Sequence, residues 1–486
     1  MALRGTNTGG IHQNNSARTT VIMLSHHIHR ISFVLATLLL SNSCAIYPHS
    51  TYTTPVVKVP AQWQGSPASS AKSASRHKWW QNFNDPLLNE LIDHALLTNN
   101  DLAAAAIKVR RAQLQAGLTD TNLTPAVDIT TAGTFDRDLI NRTGSQSYRT
   151  TATVSYELDL WGRLARLRDA GRWEAEATEV DRQNTALSLI GTVAAAYWQV
   201  AYLNQRVTLS EAGIAYAEKC LQIVLAQHRA GAVSALEAAQ ARQNLATRRA
   251  DLSRLIQQRM EARNALALLF NQPPQNSAPE MDRLPEGPLP TVAAGIPADL
   301  LSQRPDLRAA ELRLRETLAQ TDAVRASFYP TFTLTGSLGT ASTSLADVLR
   351  NPLASLGVGL ILPFVQWNTT TLTLKVSETE YLEAVIYFRQ TLYQALRDVE
   401  NALSNNVQLD TEKVQLDEAL AASSLAEKLA EAQYRAGAVG LQSWLDAQEE
   451  RRNAEASLAE NSLNRLNNRM TLYMALGGDM RISGQP

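Results

Sequence analysis

Groups able to do chemistry are few in this chain, and they do not converge. Behind the N-terminal region the histidines are His49, His77, His94 and His228, too scattered for a ligand cluster, and no metal-ligand spacing occurs. The methionines past Met23 are Met260, Met281, Met470, Met474 and Met480, which make no thioether ladder for a soft metal. Gly477-Gly478 reads as a helix stop, without the context of a phosphate-binding loop. No nucleophile, base and orienting group can be assembled, so the chain reads as non-enzymatic, with no cofactor and no metal expected. Lys+Arg 45 against Asp+Glu 46 gives a net charge of -1, so there is no overall basic field to gather nucleic acid. A hydrophobic fraction of 45% and a charged fraction of 19% over 486 residues suit a structured protein with a large core.

Of the two cysteines, Cys44 and Cys220, the first stands directly behind an apolar run. Residues Ile31 to Leu40 follow Arg30 and lead into Ser-Asn-Ser-Cys, which reads as a secretory signal, since these ten residues are half of the ~20 that a bilayer span needs. Residues 1–43 are therefore expected to be a signal peptide, and if Met23 is the start, residues 1–22 precede the translated chain. The small residues before Cys44 resemble the lipobox at which bacterial lipoproteins are cleaved and acylated, with Ser41 where that motif usually has Leu. An ordinary peptidase site near Cys44 is the other reading. Ile46, rather than Asp, lies two residues past the cysteine, which by the usual sorting rule favours the outer membrane. Cys44 is thus the expected lipidation site, and 44–78 an extended, lipid-anchored segment. An acylated Cys44 cannot pair with Cys220, so Cys220 is expected to be a packed helix residue.

The chain is internally repetitive. Asp101-Leu-Ala-Ala-Ala-Ala opens a stretch that closes at Pro125, and Asp306-Leu-Arg-Ala-Ala-Glu opens one that closes at Pro330, both offset by 205. His228-Arg-Ala-Gly-Ala-Val returns as Tyr434-Arg-Ala-Gly-Ala-Val at an offset of 206, and Ala239-Gln240 returns as Ala447-Gln448 at 208. Anchors in one order with a slow drift mark a duplication: a first repeat over 79–272, a second over 298–479 and a tail over 480–486. Between the repeats, 273–297 carries Pro274, Pro279, Pro285, Pro288 and Pro290 and cannot be helix. Trp79-Trp80 is expected to pack the start of the first repeat against helices rather than to anchor it at a membrane surface.

Each repeat reads as helix, two strands and two long helices. From Val365 to Ala436 there is neither Gly nor Pro, which predicts one nearly unbroken helix of roughly 100 Å. The first-repeat equivalent, Arg163 to Arg229, has no Pro and only Gly171, Gly191 and Gly213. Average helices run about 11–12 residues, so helices of this length suit a stalk or tube. No segment behind the signal approaches 18 consecutive apolar residues, so any membrane span must be β.

Strands are expected at about 127–137, 151–160, 331–339 and 354–364. Ala152, Val154, Tyr156, Leu158 and Leu160 alternate with Thr153, Ser155, Glu157 and Asp159; Phe332, Leu334, Gly336 and Leu338 alternate with Thr333, Thr335 and Ser337; and Leu356, Val358, Leu360, Leu362 and Phe364 form the fourth apolar face. That pattern suits transmembrane barrel strands and equally a half-buried soluble sheet. The strand count separates the two. Four strands cannot close a barrel, and an open edge in lipid leaves backbone groups unpaired at several kcal/mol each. Three copies would give 12 strands, within the range of such barrels, whereas two give eight, whose interior side chains just fill. Conduction therefore implies a homotrimer.

Tyr156-Glu-Leu-Asp-Leu-Trp-Gly-Arg163, Gln303-Arg-Pro-Asp-Leu307, Ala326-Ser-Phe-Tyr-Pro-Thr331, Leu445-Asp-Ala-Gln448 and Ala475-Leu-Gly-Gly478, in this order, resemble the TolC-like outer-membrane factor family. The resemblance covers roughly Trp79 to Asp479. It implies a mainly α chain with a membrane β-barrel: four transmembrane strands per protomer in a trimeric 12-strand barrel, joined to a long-helix periplasmic α-barrel. It also implies the exit duct of a multidrug efflux system, partnered by a periplasmic adaptor (membrane fusion) protein and an inner-membrane resistance-nodulation-division pump. The adaptor-facing helix tips would be at Arg229 and Gly231, and at Arg435 and Gly437. In the family an acid of the Leu-Asp-Ala motif lines the periplasmic constriction, which maps to Asp446, flanked here by Gln442 and Glu449. A tyrosine at the preceding tip bonds an acid on the first-repeat helix and holds the channel shut, which maps to Tyr434 and Glu237. Symmetry would set three carboxylates around one axis, a ring favouring cations. Where family members carry a second acid this chain has Ser443, and where many carry arginine it has Glu449, which either deepens the ring or pairs with Arg452. Val365-Gln-Trp-Asn368 departs from the usual Gly-rich strand exit.

Two further readings share the signal and the long helices: a periplasmic scaffold lipoprotein without a pore, and the exit duct of a metal-ion or type I secretion system. The absence of a methionine ladder tilts the cargo toward organic solutes.

Overall fold

The computed structural model describes residues 50–64, 78–274, 278–292, 295, 297–299 and 303–478. The expected signal peptide, Cys44 and the tail lie outside the described residues. The first half runs α1 (Pro86–Thr98), α2 (Asn100–Thr121), β1 (Ala126–Arg137), β2 (Gly144–Leu158), α3 (Arg163–Arg229) and α4 (Ala235–Leu269). The second runs α5 (Pro305–Ala326), β3 (Thr331–Ser342), β4 (Pro352–Ile361), α6 (Trp367–Arg435) and α7 (Leu441–Ala475). Apart from the extra α1 of the first half, the order of one helix, two strands and two long helices occurs twice, and α3 and α6 hold 67 and 69 residues.

Local chemistry sets the boundaries. Asp85 caps α1 by accepting from the Leu88 N–H, with Pro86 at the first helical position where its missing donor costs nothing. Asn99 ends α1 and caps α2, its side chain accepting from Asp101 and Leu102 N–H. Asp159 accepts from the Leu164 and Ala165 N–H groups at 3.0 and 2.8 Å and so opens α3. Gly171, Gly191 and Gly213 do not interrupt α3.

The chain divides into two compact units. One contains Leu123–Arg166 and Thr321–Leu374 with Ser50 and Thr51; the other contains Tyr52–Asn122, Leu167–Gln320 and the chain from Lys375 onward. In the first unit the strands form one antiparallel sheet in the order β1-β2-β3-β4. Its register sets Val127, Val154, Gly336 and Leu356 side by side, and likewise Ile129, Ala152, Leu338 and Ala354. Because side chains alternate with period two, most of the large apolar residues of the four strands share one face, with Leu353 and Ile361 of β4 on the other. The shared face is bare: Leu356 is 94% and Ile129 71% exposed. β2 starts at Gly144, well before the expected position, and β4 stops at Ile361 because Pro363 opens a 3-10 turn that ends at Val365 and leads into α6. In the same unit the Ser50 N–H and hydroxyl both donate to the buried Asp322 carboxylate at 2.7 Å.

The second unit holds the core. Trp79 stacks on Tyr473 at 4.9 Å and is buried with Trp80, Leu88, Ile92 and the Ile190, Val193, Tyr197 and Trp198 stripe of α3, the packing expected of the tryptophan pair. A second cluster joins Trp63 to Leu307, Leu392 and Val399. One 18-residue stretch within α3 is apolar enough to cross a membrane, but 67% of that stretch is buried in the protein, which makes it part of the core.

Candidate functional site

The turn between α3 and α4 and the turn between α6 and α7 have one backbone design. At the first, the Gly231 N–H donates to His228 O at 3.0 Å and the Ala232 N–H to Gln227 O at 2.9 Å; at the second, Gly437 donates to Tyr434 O and Ala438 to Gln433 O, both at 2.9 Å. These paired bonds are the Schellman motif, which satisfies the last carbonyls of a helix. It needs a residue of positive φ just past the helix, and Gly231 and Gly437 both sit at φ 74. Arg229, Gly231, Arg435 and Gly437 are all exposed, and Arg435 pairs with Glu431 at 2.5 Å.

Behind these turns the second unit has its third core cluster, with Cys220, Val224, Ala238, Ala241, Tyr434, Leu441, Trp444 and Leu445. Cys220 is a packed helix residue, and burial pushes its thiol up to about 11. Tyr434 lies tilted against the Trp444 ring at 5.3 Å. Its hydroxyl donates to Gln227 Oε1 at 2.7 Å. The bond expected with Glu237 is therefore replaced within the chain by one to Gln227, because α3 brings that amide to the phenol. Glu237 is nevertheless close: one of its carboxylate oxygens is buried without a hydrogen-bond partner. Burial first, and the Glu237 charge second, push the Tyr434 phenol up to about 12. Tyr216 completes the cluster, its ring edge-on to Trp444 and its hydroxyl donating to Glu431 at 2.8 Å.

Along α7, Gln442, Asp446 and Glu449 fall at intervals of four and three, so they line one helix face. All three are exposed. The Gln442 amide donates to Asp446 Oδ1 at 2.6 Å. Glu449 pairs with Arg452 at 2.9 Å, so of the two roles open to it from sequence the structure displays the ion pair. Across from this helix, on α4 and bonded to Gln448 of α7, is a residue that sequence reasoning missed, Arg248. It is buried, donates to Asn244 at 2.7 Å and to Gln448 at 3.2 Å, and burial with the nearby Arg452 cation draws it down to about 10. A single arginine on a charged helix reads as surface, so no sequence signal separates it from its neighbours. Among the described residues no group of three or more His, Cys, Asp and Glu is placed to hold a metal.

The sheet offers the complementary surface. Opposite its apolar face stand Asp128, Thr153, Ser337 and Ser355 in register, a polar lining built mostly of Ser, Thr and small residues.

Residues 91–272 and 296–478 each match the outer membrane efflux protein family. The pyoverdine export outer membrane protein OpmQ of Pseudomonas putida is 32% identical over 90% of this chain and 96% of its own. The toluene efflux pump outer membrane protein TtgF of the same species is 30% identical over 94% of this chain and 98% of its own. Among solved structures, the open state of the Neisseria gonorrhoeae MtrE outer membrane channel superposes with a TM-score of 0.79 at 30% identity, covering 89% of this chain and 98% of that one. With both halves matched and near-complete relatives at this identity, the chain belongs to the outer membrane efflux protein family, a family of outer-membrane transport channels.

Proposed function

We propose that the mature chain works as one of three copies that form a closed duct, lipid-anchored at Cys44, through which a tripartite pump expels drugs or other small organic solutes. One observation carries this reading: the sheet has a bare apolar face and two unpaired edges, β1 and β4. In lipid such edges must pair, since each unsatisfied backbone group costs several kcal/mol. Pooling three four-stranded sheets gives 12 strands and a pore. A non-conducting scaffold would have no use for an apolar face on every strand.

In this reading the long helices pool in the same way into a periplasmic α-barrel. The exposed tips at Arg229, Gly231, Arg435 and Gly437 meet the adaptor protein, which links the duct to an inner-membrane pump. Asp446, oriented by Gln442, supplies the constriction ring, while Arg452 offsets much of the charge of Glu449. Tyr434 and Glu237, with Gln227 as the phenol's acceptor, hold the closed state. OpmQ is named for pyoverdine and TtgF for toluene, so relatives of one architecture bear different cargo names. The pump, rather than this chain, then selects the solute.

The purified mature protein should run as a heat-modifiable trimer and raise the conductance of a planar bilayer. A freely soluble monomer that leaves conductance unchanged would support the scaffold and end this reading.

A further inference from the structure

The charged residues of the four strands are few and ordered. Apart from Arg137 at a strand end, they are Asp128, Asp136, Arg149 and Glu157. All four stand on the polar face, opposite the apolar one. The ladder fixes their levels along β2: Glu157 at its own position, Asp128 opposite Thr153, Arg149 opposite Ala132, and Asp136 opposite Ser145. Each step is four residues, or about 13 Å. Glu157 is neutralised by Arg163 at 2.7 Å. What remains along the strand is acid, base, acid. Arg149 is exposed, is flanked in register by Ala132 and Ala341, and has no carboxylate partner among the described residues. The steps exceed the ~8 Å over which salt screens exposed charges, so each level acts on a passing solute separately.

We propose that Arg149, repeated around the closed duct, is a cationic station for the anionic groups of departing solutes, set between acidic levels at Asp136 and Asp128. This rests on the pooled-strand reading above, because only closure brings copies of Arg149 around one lumen. Guanidinium groups take carboxylates and phosphates in paired hydrogen bonds, so the ligand class is a small polyanion or a solute bearing a carboxylate. The acids on either side keep such a solute from dwelling outside the Arg149 level and give the station a defined depth. β3 and β4 contribute no charge at any level, so the station depends on one side chain per copy.

The test uses the full mature protein in planar bilayers, with citrate added to each side in turn in buffer free of divalent cations. Wild type should show citrate block that Arg149→Gln weakens about threefold in half-blocking concentration, the scale of an exposed charge pair. Arg149→Lys, which keeps the charge, should retain the block, and Asp136→Asn should strengthen it. Equal block in wild type and Arg149→Gln overturns the station while leaving the duct intact, as does a lysine variant that behaves like glutamine. Should Arg149→Gln not assemble as a heat-modifiable trimer, Asp136→Asn decides alone: a block no stronger than wild type overturns the proposal. Wild-type protein that forms neither trimer nor pore overturns the underlying duct instead.

Discussion

At the turn between α3 and α4 the chain reads His228-Arg-Ala-Gly-Ala-Val, and between α6 and α7 it reads Tyr434-Arg-Ala-Gly-Ala-Val. The backbone hydrogen bonds of the two turns match, and so do the glycine angles. Their first side chains part company. His228 is exposed and holds the Val233 carbonyl of its own turn at 3.0 Å, whereas Tyr434 is buried against Trp444 and reaches across to Gln227 on the other hairpin. Duplication kept the scaffold, which needs only a left-handed glycine, and let one copy specialise. The second hairpin carries the aromatic anchor and the acidic face, and the first supplies Gln227 and Glu237.

Substitutions at equivalent positions of the two hairpins should therefore differ sharply. Trp444→Ala empties a fully buried site and should cost about 3–5 kcal/mol in thermal or denaturant unfolding. Leu236→Ala, near the start of α4 and 66% exposed, should stay within ~0.5 kcal/mol. Equal losses would dissolve the comparison.

A smaller effect is expected on gating. Tyr434→Phe with Glu237→Gln removes about 1 kcal/mol of closed-state bonding, which should raise open probability on the order of fivefold in single-channel recordings. His228→Phe should leave it unchanged. Alkali sharpens the same contrast. The Tyr434 phenol is raised from 10.0 to about 12, so its contribution is complete below pH 10 and fades as pH rises through 12. Wild-type conductance should climb over that window, with Tyr434→Phe lacking this component. Tyr216 is raised by burial and Glu431 in the same direction, so Tyr216→Phe is the matching control.

The smallest expected change separates Asp446 from Glu449 on one face of α7. Asp446→Ala should weaken cation preference and block by multivalent cations, whereas Glu449→Gln, already paired with Arg452, should shift selectivity less. A larger effect at Glu449 would reverse the assignment of the ring.

Much of this architecture was legible because its signals are local. The Gly- and Pro-free run from Val365 to Ala436 dictates α6, and strict alternation from Ala152 to Leu158 dictates the second half of β2. The start of β2 is hidden because Gly144-Ser-Gln-Ser has the composition of a turn and owes its strand form to pairing with Arg137, Asp136, Phe135 and Thr134 of β1. Pro363 marked the end of β4, but the apolar Leu362 and Phe364 on either side extended the apparent alternation. At the tips the glycines were legible and the partner of Tyr434 was not. Gln227 and Tyr434 are separated by 207 positions, and only the packing of α3 against α6 brings the amide to the phenol. Arg248 stayed invisible for the same reason: burial is a property of four helices together rather than of its own.

A closed duct requires the edges of the sheet to pair, and hydrogen exchange of the detergent-extracted mature protein reads them directly. If copies pool their strands, the outward amides of β1 and β4 are as protected as those of the inner β2 and β3. Outward amides that exchange at the rate of open backbone while β2 and β3 stay protected would mean that each sheet stands alone, and no duct could be built from it.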